Sequence, residues 1–240
     1  MRLLEVAGLQ LAPGEAAVIL ERLCIMEDQE LDSSELGTQS YWQQAYAKEI
    51  INFEEHGDPG DVWFGEDNTY RVINWLCKCG VDMDTPIIDL GCGNGFTLIE
   101  LAREGFKDLL GIDYCQEAVS LAEKVANKEF PHIKFQMFDI TSDDVRELGK
   151  FGIVHDKGTY DAIGLNPENP KHHREQYINR VAEMMKDDGL FIITSCNWTD
   201  EELTKQFSEK LKLKCVIPTP QFTFGGKIGS VVSSVVFEKK

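Results

Sequence analysis

The 240-residue sequence lacks the features that mark membrane and secreted proteins. No stretch approaches the ~18 consecutive apolar residues that a membrane-spanning helix needs. The first eleven residues are mostly apolar but include Glu5, and they lack the basic run, long apolar core and small-residue cleavage site of a secretion signal. We therefore expect a protein without a membrane partner that works in the cytoplasm, with a nuclear pool left open.

Basic residues are also few, because 24 Lys and Arg stand against 41 Asp and Glu, which gives a net charge of −17. Such a surface repels a phosphate backbone, so we expect no direct nucleic-acid partner. A basic protein substrate is favoured instead. Acidity that serves only solubility is an equally good interpretation of the charge taken alone.

The seven cysteines give no disulfide framework, because their number is odd and their spacing is scattered. Such cysteine usage is typical of a reducing compartment. Cys77 and Cys79 form a C-x-C pair, but no second pair follows at the spacing of a zinc site, so we expect no metal.

The stretch from Pro86 to Asp113 carries the strongest functional signal. An apolar strand runs into glycines at 91, 93 and 95 and then into a helical pattern, which brings backbone N–H groups up to a ligand. Phe96 stands where a dinucleotide fingerprint has its third glycine, and no Lys-Ser/Thr pair of a phosphate-binding loop follows. Asp113 ends the next strand, where a carboxylate can accept both ribose hydroxyls. The pattern predicts a site for a nucleoside without phosphates.

Short apolar strands alternate with helical patterns through the rest of the chain, which predicts a doubly wound parallel α/β sheet. The parallel strands are predicted at Ile87–Leu90, Leu109–Asp113, Ile133–Phe138, Phe151–His155 and Gly189–Cys196. A final pair, Lys214–Thr219 and Ser230–Glu238, flanks a glycine-rich segment and predicts a hairpin, so the last strand should run antiparallel. The fold class is therefore a Rossmann-like sheet of seven strands, six of them parallel.

We predict two parts in the chain: an N-terminal extension at residues 1–35, which we expect to be mobile, and one domain at residues 36–240. Ser40 is predicted to cap the first helix of the domain, and Asn68 or Thr69 to cap the second. The extension shows no counterpart in the later pattern, so we assign it no function.

Aromatic residues before the glycine turn fall into two groups. Trp42 and Trp75 lie at helical spacing among apolar residues and are predicted to pack in the core. Trp63 and Phe64 lie on a glycine-flanked loop upstream of the nucleoside site. We expect this loop to be able to close over the ligand.

The segment Asp89-Leu90-Gly91-Cys92-Gly93-Asn94-Gly95 resembles motif I of the class I, seven-strand S-adenosylmethionine-dependent methyltransferases. The resemblance implies S-adenosyl-L-methionine as the cofactor and Asp113 as the ribose acid. The residues implied to contact this cofactor are Trp63, Asp89, Gly91, Cys92, Gly93, Asn94, Asp113, Tyr114, Asp139, Ile140 and Asp156. Asp139 is expected to accept from the adenine amine while Ile140 packs on the ring, and a simple helix cap is the competing interpretation of Asp139.

A narrower resemblance extends over residues 34 to 240. It rests on Leu36-Gly37-Thr38-x-x-Tyr41-Trp42, Trp63-Phe64-Gly65, Asp156-Lys157-Gly158-Thr159, Leu165-Asn166-Pro167, Ile193-Thr194-Ser195-Cys196-Asn197-Trp198 and Phe222-x-Phe224-Gly225-Gly226. These segments resemble the elongation factor 1-alpha lysine methyltransferases of the methyltransferase-like 10 type. The resemblance implies a protein-lysine N-methyltransferase, which we expect to be a monomer whose partner is elongation factor 1-alpha.

Three polar side chains are candidates to orient the target amine: Asp156, Asn166 and Asn197. Asp156 should border the methyl-donor pocket, because its strand ends beside the first strand, and Asp156→Ala is expected to abolish turnover while leaving the fold. His172 and His173 begin a helix and are expected to be solvated rather than catalytic.

Four aromatic residues are candidates to line a channel for the lysine stem: Trp63, Phe64, Tyr160 and Trp198. Aromatic faces also attract a methylammonium product. Two alternatives stay open at this point, a methyltransferase of another protein or of a small molecule, and a non-catalytic nucleoside-binding partner subunit.

Overall fold

The computed structural model describes residues 30–224 and 227–240, with 221–224 and 227–230 described as backbone only. The predicted extension at residues 1–35 lies almost wholly outside these ranges, so that division of the chain stays a prediction. The helices are α1 (Gln39–His56), α2 (Glu66–Lys78), α3 (Phe96–Arg103), α4 (Gln116–Ala126), α5 (Thr159–Gly164), α6 (Pro170–Met184) and α7 (Asp200–Phe207). The strands are β1 (Ile87–Leu90), β2 (Leu109–Asp113), β3 (Lys134–Met137), β4 (Phe151–Lys157), β5 (Met185–Ser195), β6 (Leu211–Ile217), β7 (Gln221–Phe224), β8 (Lys227–Ser230) and β9 (Ser233–Lys239).

Seven of the strands form one sheet in the order β3-β2-β1-β4-β5-β9-β6. Strand β9 lies antiparallel between β5 and β6, and the pairs from β3 to β5 are all parallel. This confirms the predicted Rossmann-like sheet with an antiparallel last strand. The strand order reverses beside β1, which places the carboxyl ends of β1, β2 and β4 at the switch point where such sheets bind ligands.

Helices cover both faces of this sheet, as adjacent residues of β5 show. Phe191 contacts the rings of Tyr177 on α6 and Phe207 on α7. Ile192 belongs to the apolar cluster that contains residues of α2 and α3. Since neighbouring side chains of a strand point to opposite faces, the two helix pairs lie on opposite sides of the sheet. Trp75 packs against the apolar cluster that contains Ile192, which confirms its prediction as a packing residue.

The first helix begins before its predicted cap. Thr38 is the N-cap of α1 and accepts the Tyr41 N–H on its hydroxyl, so Ser40 lies inside the first turn and the prediction for it was wrong. Thr38 has extended backbone angles, which is what an N-cap needs, whereas Ser40 is already helical.

Helix α2 also begins earlier than predicted, after Gly65. Gly65 has φ 78°, a value that glycine adopts without strain and that ends the preceding loop. The side chain of Asn68 donates instead to the Phe64 carbonyl, at 2.6 Å. The predicted caps Asn68 and Thr69 were therefore wrong, because both lie within the helix.

The C-terminal segment differs from the single predicted hairpin. Strands β6 and β9 pair antiparallel as expected, but the connection between them contains a second, two-stranded sheet of β7 and β8. Phe222 and Phe224 of the predicted glycine-rich segment belong to β7, and Gly225 and Gly226 lie outside the described residues.

Across the part of the chain that the structure describes, no helix has the length and apolar character that a membrane span requires. The longest of these helices, α1, has 18 residues and carries charged side chains that include Lys48, Glu49 and Glu54. Tyr46 of α1 is buried and Trp42, Ile50 and Phe53 pack with it against α4, whereas Ile51 is exposed.

Candidate active site

A cavity of about 400 Å³ opens at the carboxyl ends of β1, β2 and β4. Most of the residues that the sequence predicted as a site line it: Trp63, Gly91, Cys92, Gly93, Asn94, Asp113, Tyr114, Asp139, Ile140, Asn166 and Asn197. Asp89 and Asp156 do not line it. The topology therefore gathers into one site residues as far apart in the sequence as Trp63 and Asn197, which are 134 positions apart, as expected for the switch point of an open sheet.

The glycine turn after β1 forms the floor of the cavity. Gly93 has φ 55°, and a Cβ atom there would lie 2.6 Å from the Tyr46 hydroxyl oxygen. A side chain is excluded at this position both by the backbone angle and by the approach of α1. The turn thus leaves bare backbone facing the ligand space.

Asp113 stands at the end of β2 with its carboxylate 5% exposed. It accepts the backbone N–H groups of Gly93, at 3.1 Å, and of Cys115, at 3.0 Å. Burial raises the pKa of Asp113 to about 6, with the nearby charge of Asp89 adding to the rise, although the backbone hydrogen bonds oppose it. The carboxylate is a buried acceptor beside the glycine turn, which fits the predicted role of binding ribose hydroxyls.

Aromatic side chains form a wall of the cavity near α1. Trp63 meets Trp42 edge to face with ring centroids 5.0 Å apart, and Trp42 stacks on Tyr46 at 6.0 Å. All three residues line the cavity. Trp42, predicted as a packing residue, therefore both packs and contributes to the site.

Asp139 lines the cavity but has its carboxylate engaged locally. It accepts the Thr141 N–H and hydroxyl, each at 2.7 Å, and the Ser142 hydroxyl at 2.9 Å. This geometry supports the turn-capping interpretation that competed with adenine binding. Ile140 is buried on the cavity wall, where it can pack against a flat ring.

Asp89 lies beneath the glycine turn and not on the cavity surface. Its carboxylate contacts His155 Nδ1 at 2.7 Å, and both side chains are almost fully buried. His155 pairs with Asp89 in register across β1 and β4. We therefore replace the predicted cofactor contact of Asp89 with a role in fixing the two strands below the site.

Asp156 is fully buried and likewise does not reach the cavity. Its carboxylate accepts the N–H groups of Thr159 and Tyr160 at the start of α5, at 3.1 and 3.0 Å, and the hydroxyl of Tyr177. Burial raises its pKa to about 7. The predicted contact with the amine is replaced by a positioning role, because this carboxylate holds the loop of Lys157 and Gly158 that does line the cavity.

Asn166 lines the cavity, but its amide is fully engaged. Nδ2 donates to the Gly37 carbonyl at 3.1 Å, and Oδ1 accepts the Glu168 N–H at 2.8 Å. Gly37 packs so closely on Leu165 that a Cβ atom would lie 2.3 Å from the Leu165 carbonyl carbon. Asn166 therefore fixes the Glu35–Gly37 turn over the site, and its predicted contact with the amine stays a prediction.

Asn197 differs from Asn166, because its Nδ2 atom is buried and has no hydrogen-bond partner among the described residues. Its backbone N–H donates to the Ser195 hydroxyl at 3.1 Å, which fixes the start of the loop after β5. A buried amide without a partner loses about 1–3 kcal/mol, so such a group is typical of a ligand site. Of the three predicted catalytic residues, Asn197 alone presents a free polar atom.

Tyr160 and Trp198, two residues of the predicted lysine channel, are buried and do not line the cavity. Trp63 and Phe64 do line it. Tyr160 packs instead on Tyr177 and Phe207, with ring centroids 5.3 and 5.1 Å away. The channel prediction is therefore retained for Trp63 and Phe64 only.

Three cavity residues carry chemistry that the sequence prediction missed: Lys157, Asp161 and His173. Lys157 Nζ donates to the Trp63 carbonyl at 3.0 Å, and burial lowers the pKa of its amine. Asp161 accepts the Ser195 hydroxyl and the Cys196 N–H, and burial raises its pKa. His173, predicted to be solvated, has a buried Nδ1 atom without a partner in the described residues.

These residues fit an adenosyl cofactor. The cavity volume falls in the ~300–1,000 Å³ range of small-molecule sites. Bare backbone at Gly93, the Asp113 carboxylate and the apolar side chain of Ile140 supply the groups that a nucleoside requires. No phosphate-binding group is needed, as the sequence predicted.

Comparison with known proteins places these features in context. A family model described as a methyltransferase domain matches residues 82–233. A Homo sapiens protein named EEF1A lysine methyltransferase 2 is 43% identical over 207 residues, which cover 86% of this chain and 87% of that protein. A Saccharomyces cerevisiae protein named protein-lysine N-methyltransferase EFM4 is 39% identical over 224 residues, which cover 88% of this chain and 97% of that protein.

Solved structures share the fold at low identity. The N-methyltransferase NodS from Bradyrhizobium japonicum WM9, in complex with S-adenosyl-L-homocysteine, has a TM-score of 0.61 at 16% identity and covers 82% of this chain and 98% of that chain. The magnesium protoporphyrin IX methyltransferase from Synechocystis, with bound SAM, has a TM-score of 0.57 at 16% identity and covers 85% of this chain and 92% of that chain. At these identities the likeness concerns the sheet and its helices, not the substrate.

We expect Asp156→Ala to lower the free energy of unfolding by about 2–4 kcal/mol, because two backbone N–H groups and the Tyr177 hydroxyl lose their buried acceptor. Urea unfolding monitored by circular dichroism measures this change. Asp188→Ala, which alters an exposed residue, serves as the control and should stay within about 0.5 kcal/mol of the wild type. Equal stability of the two variants would contradict the positioning role.

We expect the dissociation constant for S-adenosyl-L-homocysteine to rise about tenfold from pH 7 to pH 5, because protonation of Asp113 below its pKa of about 6 removes the ribose acceptor. Titration calorimetry across this range measures the effect. Asp113→Asn cannot titrate, so it should bind weakly at every pH. If the affinity of Asp113→Asn fell between pH 7 and pH 5 as much as that of the wild type, a group other than Asp113 would cause the pH dependence.

Proposed function

The chain belongs to the S-adenosyl-L-methionine-dependent methyltransferase family that includes the EEF1A lysine methyltransferase 2 and EFM4 proteins, and we propose that it methylates lysine on translation elongation factor 1-alpha. The observation that supports this proposal most is the 43% identity over 86% of the chain and 87% of the relative, because it extends through the loops around the cavity. The identity is therefore not confined to the glycine turn, which methyltransferases with other substrates share.

The reaction places few demands on acid or base groups. S-adenosyl-L-methionine supplies a methyl group on a sulfonium: the amine nitrogen forms the new N–C bond, and the electrons of the broken C–S bond return to sulfur. The proton of the resulting methylammonium leaves to solvent. The protein must hold the amine neutral and in line, so positioning provides most of the rate enhancement.

The cavity has a donor side, which would bind S-adenosyl-L-methionine, and an acceptor side, which would bind the lysine. On the donor side, Asp113 and the bare backbone at Gly93 receive the ribose, and Ile140 packs against the adenine. On the acceptor side, Trp63 and Phe64 flank the aliphatic stem of the lysine. Their rings can pack against the methylene groups of the stem and attract the methylammonium product.

Asn197 is the residue that we assign to the amine. Its Oδ1 atom accepts the Cys196 thiol at 3.5 Å and keeps a second lone pair that can accept an N–H of the neutral amine, while the unpartnered Nδ2 can donate to a substrate carbonyl. The loop that carries it is fixed from below, since Ser195 accepts the N–H groups of both Asn197 and Trp198, at 3.1 and 3.0 Å.

We further propose that the protein acts as a monomer in the cytoplasm, with a nuclear pool left open, and without direct contact to nucleic acid. The net charge of −17 supports a basic protein partner over a phosphate backbone.

We expect the purified chain to transfer label from methyl-labelled S-adenosyl-L-methionine to recombinant elongation factor 1-alpha at one lysine, as identified by mass spectrometry. The same reaction with a cell lysate tests selectivity. Gly93→Ala serves as the inactive control, because its Cβ atom would meet the Tyr46 hydroxyl. Label in small molecules alone would contradict the proposal, and the absence of any label would favour a non-catalytic nucleoside-binding subunit.

We expect Asn197→Ala to lower kcat at least tenfold, because the amine loses the group that orients it, a loss of about 1.4 kcal/mol or more in transition-state stabilisation. The affinity for S-adenosyl-L-homocysteine should change less than threefold. Initial rates and calorimetry measure the two quantities. Asn179→Ala changes an exposed amide of α6 and should retain full activity. Equal kcat values for the two variants would remove Asn197 from the reaction.

A further inference from the structure

Asn94 lies in the glycine turn, but its side chain reaches away from that turn. Nδ2 donates to two backbone carbonyls, that of Pro59 at 3.0 Å and that of Asp61 at 3.3 Å. Oδ1 accepts the Phe96 N–H at 3.2 Å, at the start of α3. Asn94 as a whole is 7% exposed, and both the Nδ2 and the Oδ1 atoms of its amide are hydrogen-bonded. One amide thus joins the cofactor turn to a segment more than thirty positions earlier in the chain.

That segment, residues 57–65, connects α1 to α2 and is called the 57–65 loop below. Its residues are exposed or half-buried, so little apolar burial holds it in place. Other hydrogen bonds to it join Asn52 to Asp58, Lys157 Nζ to the Trp63 carbonyl and Asn68 Nδ2 to the Phe64 carbonyl. The Trp63 ring also packs edge to face on Trp42. Asp61 and the three residues after it line the cavity. A loop with so little buried surface depends on its hydrogen bonds for its position.

We propose that Asn94 is a positioning residue for the acceptor side of the reaction: it holds the 57–65 loop so that Trp63 and Phe64 flank the target amine. This inference rests on the proposed lysine methylation. It differs from the cofactor contact that motif I implies for Asn94, because the amide group bonds the loop and not the ligand space. Asn94 then contributes to substrate binding through the loop, although it lies in the turn that binds the donor.

The arrangement couples the two sides of the site. Gly91, Gly93 and Asn94 all line the cavity, so a nucleoside seated on this turn also steadies the residue that bonds the loop. The loop in turn carries the aromatic side chains that contact the lysine stem. Donor binding should therefore order the 57–65 loop, and the protein substrate should bind best after the donor.

Asn94→Asp tests this coupling with little change in shape. The carboxylate keeps the acceptor for the Phe96 N–H but has no N–H to donate to the Pro59 and Asp61 carbonyls. Asn94→Ala removes the same donor without adding charge, which keeps the test available where the charged variant folds poorly. Asn179→Asp is the matched control, since its exposed Nδ2 donates to the Glu175 carbonyl and the same atoms change far from the cavity.

Hydrogen exchange of residues 57–65, with and without S-adenosyl-L-homocysteine, is the first readout and needs no protein substrate. We expect the ligand to slow exchange in the wild type and in Asn179→Asp, and exchange in Asn94→Asp to be about fivefold faster and to respond little to the ligand. The second readout is the kinetics with elongation factor 1-alpha, where kcat/KM should fall at least tenfold while the ligand dissociation constant changes less than threefold.

Two results would overturn the inference. Exchange in Asn94→Asp equal to that in Asn179→Asp would show that the amide does not hold the loop. Ligand affinity that falls as much as kcat/KM would show that Asn94 acts only as a cofactor contact. A wild type that binds S-adenosyl-L-homocysteine and orders its loop, but does not label elongation factor 1-alpha, would refute the proposed function and leave the coupling of loop to donor intact.

Discussion

The hydrogen bond between the Gly93 N–H and the Asp113 carboxylate is the contact on which the rest of the site depends. It closes the glycine turn against the end of β2, and the register of β1 and β2 brings the two residues together. Burial raises the pKa of Asp113 from 3.8 to about 6, so ionisation at pH 7 costs about 3 kcal/mol of folding stability. This cost is absent below about pH 3.8, where the carboxyl group is protonated in both the folded and the unfolded state, and it is complete once the pH has risen above about 6.

Three asparagines show how the site divides structure from chemistry. The amides of Asn94 and Asn166 bond backbone carbonyls of segments that precede β1, and both therefore hold the walls of the cavity in place. The Nδ2 atom of Asn197 has no such bond in the described structure. The same side-chain chemistry serves as a fixed tether where both ends are satisfied, and where one end is left free we propose that it binds substrate.

Sequence patterns predicted correctly those features that depend on residues close together in the chain. Strands β1 and β2 match their predicted bounds, because each is an apolar run ended by turn residues, and Gly93 and Asp113 follow from that frame. The contacts of the Asp89 and Asp156 side chains could not be predicted from such patterns. Asp89 contacts His155, which is 66 positions away, and Asp156 accepts the hydroxyl of Tyr177, which is 21 positions away, so the surroundings of both depend on tertiary neighbours. His173 was predicted to be solvated, but its Nδ1 atom is buried. Its place at the start of a helix gives no sign of which neighbours cover it.

The donor and acceptor sides of the site have different mechanical supports. The donor side stands on β1, β2 and β4, a parallel sheet whose pairing is shared with methyltransferases at 16% identity and a TM-score of 0.61. The acceptor side consists of loops held by a few side-chain amides, a hydroxyl and one lysine. Loops with little buried surface can change while the sheet stays constant, so one fold can serve different methyl acceptors. The acceptor side of the proposed reaction therefore depends on those few hydrogen bonds, and a small change there should alter substrate choice more than a change in the sheet.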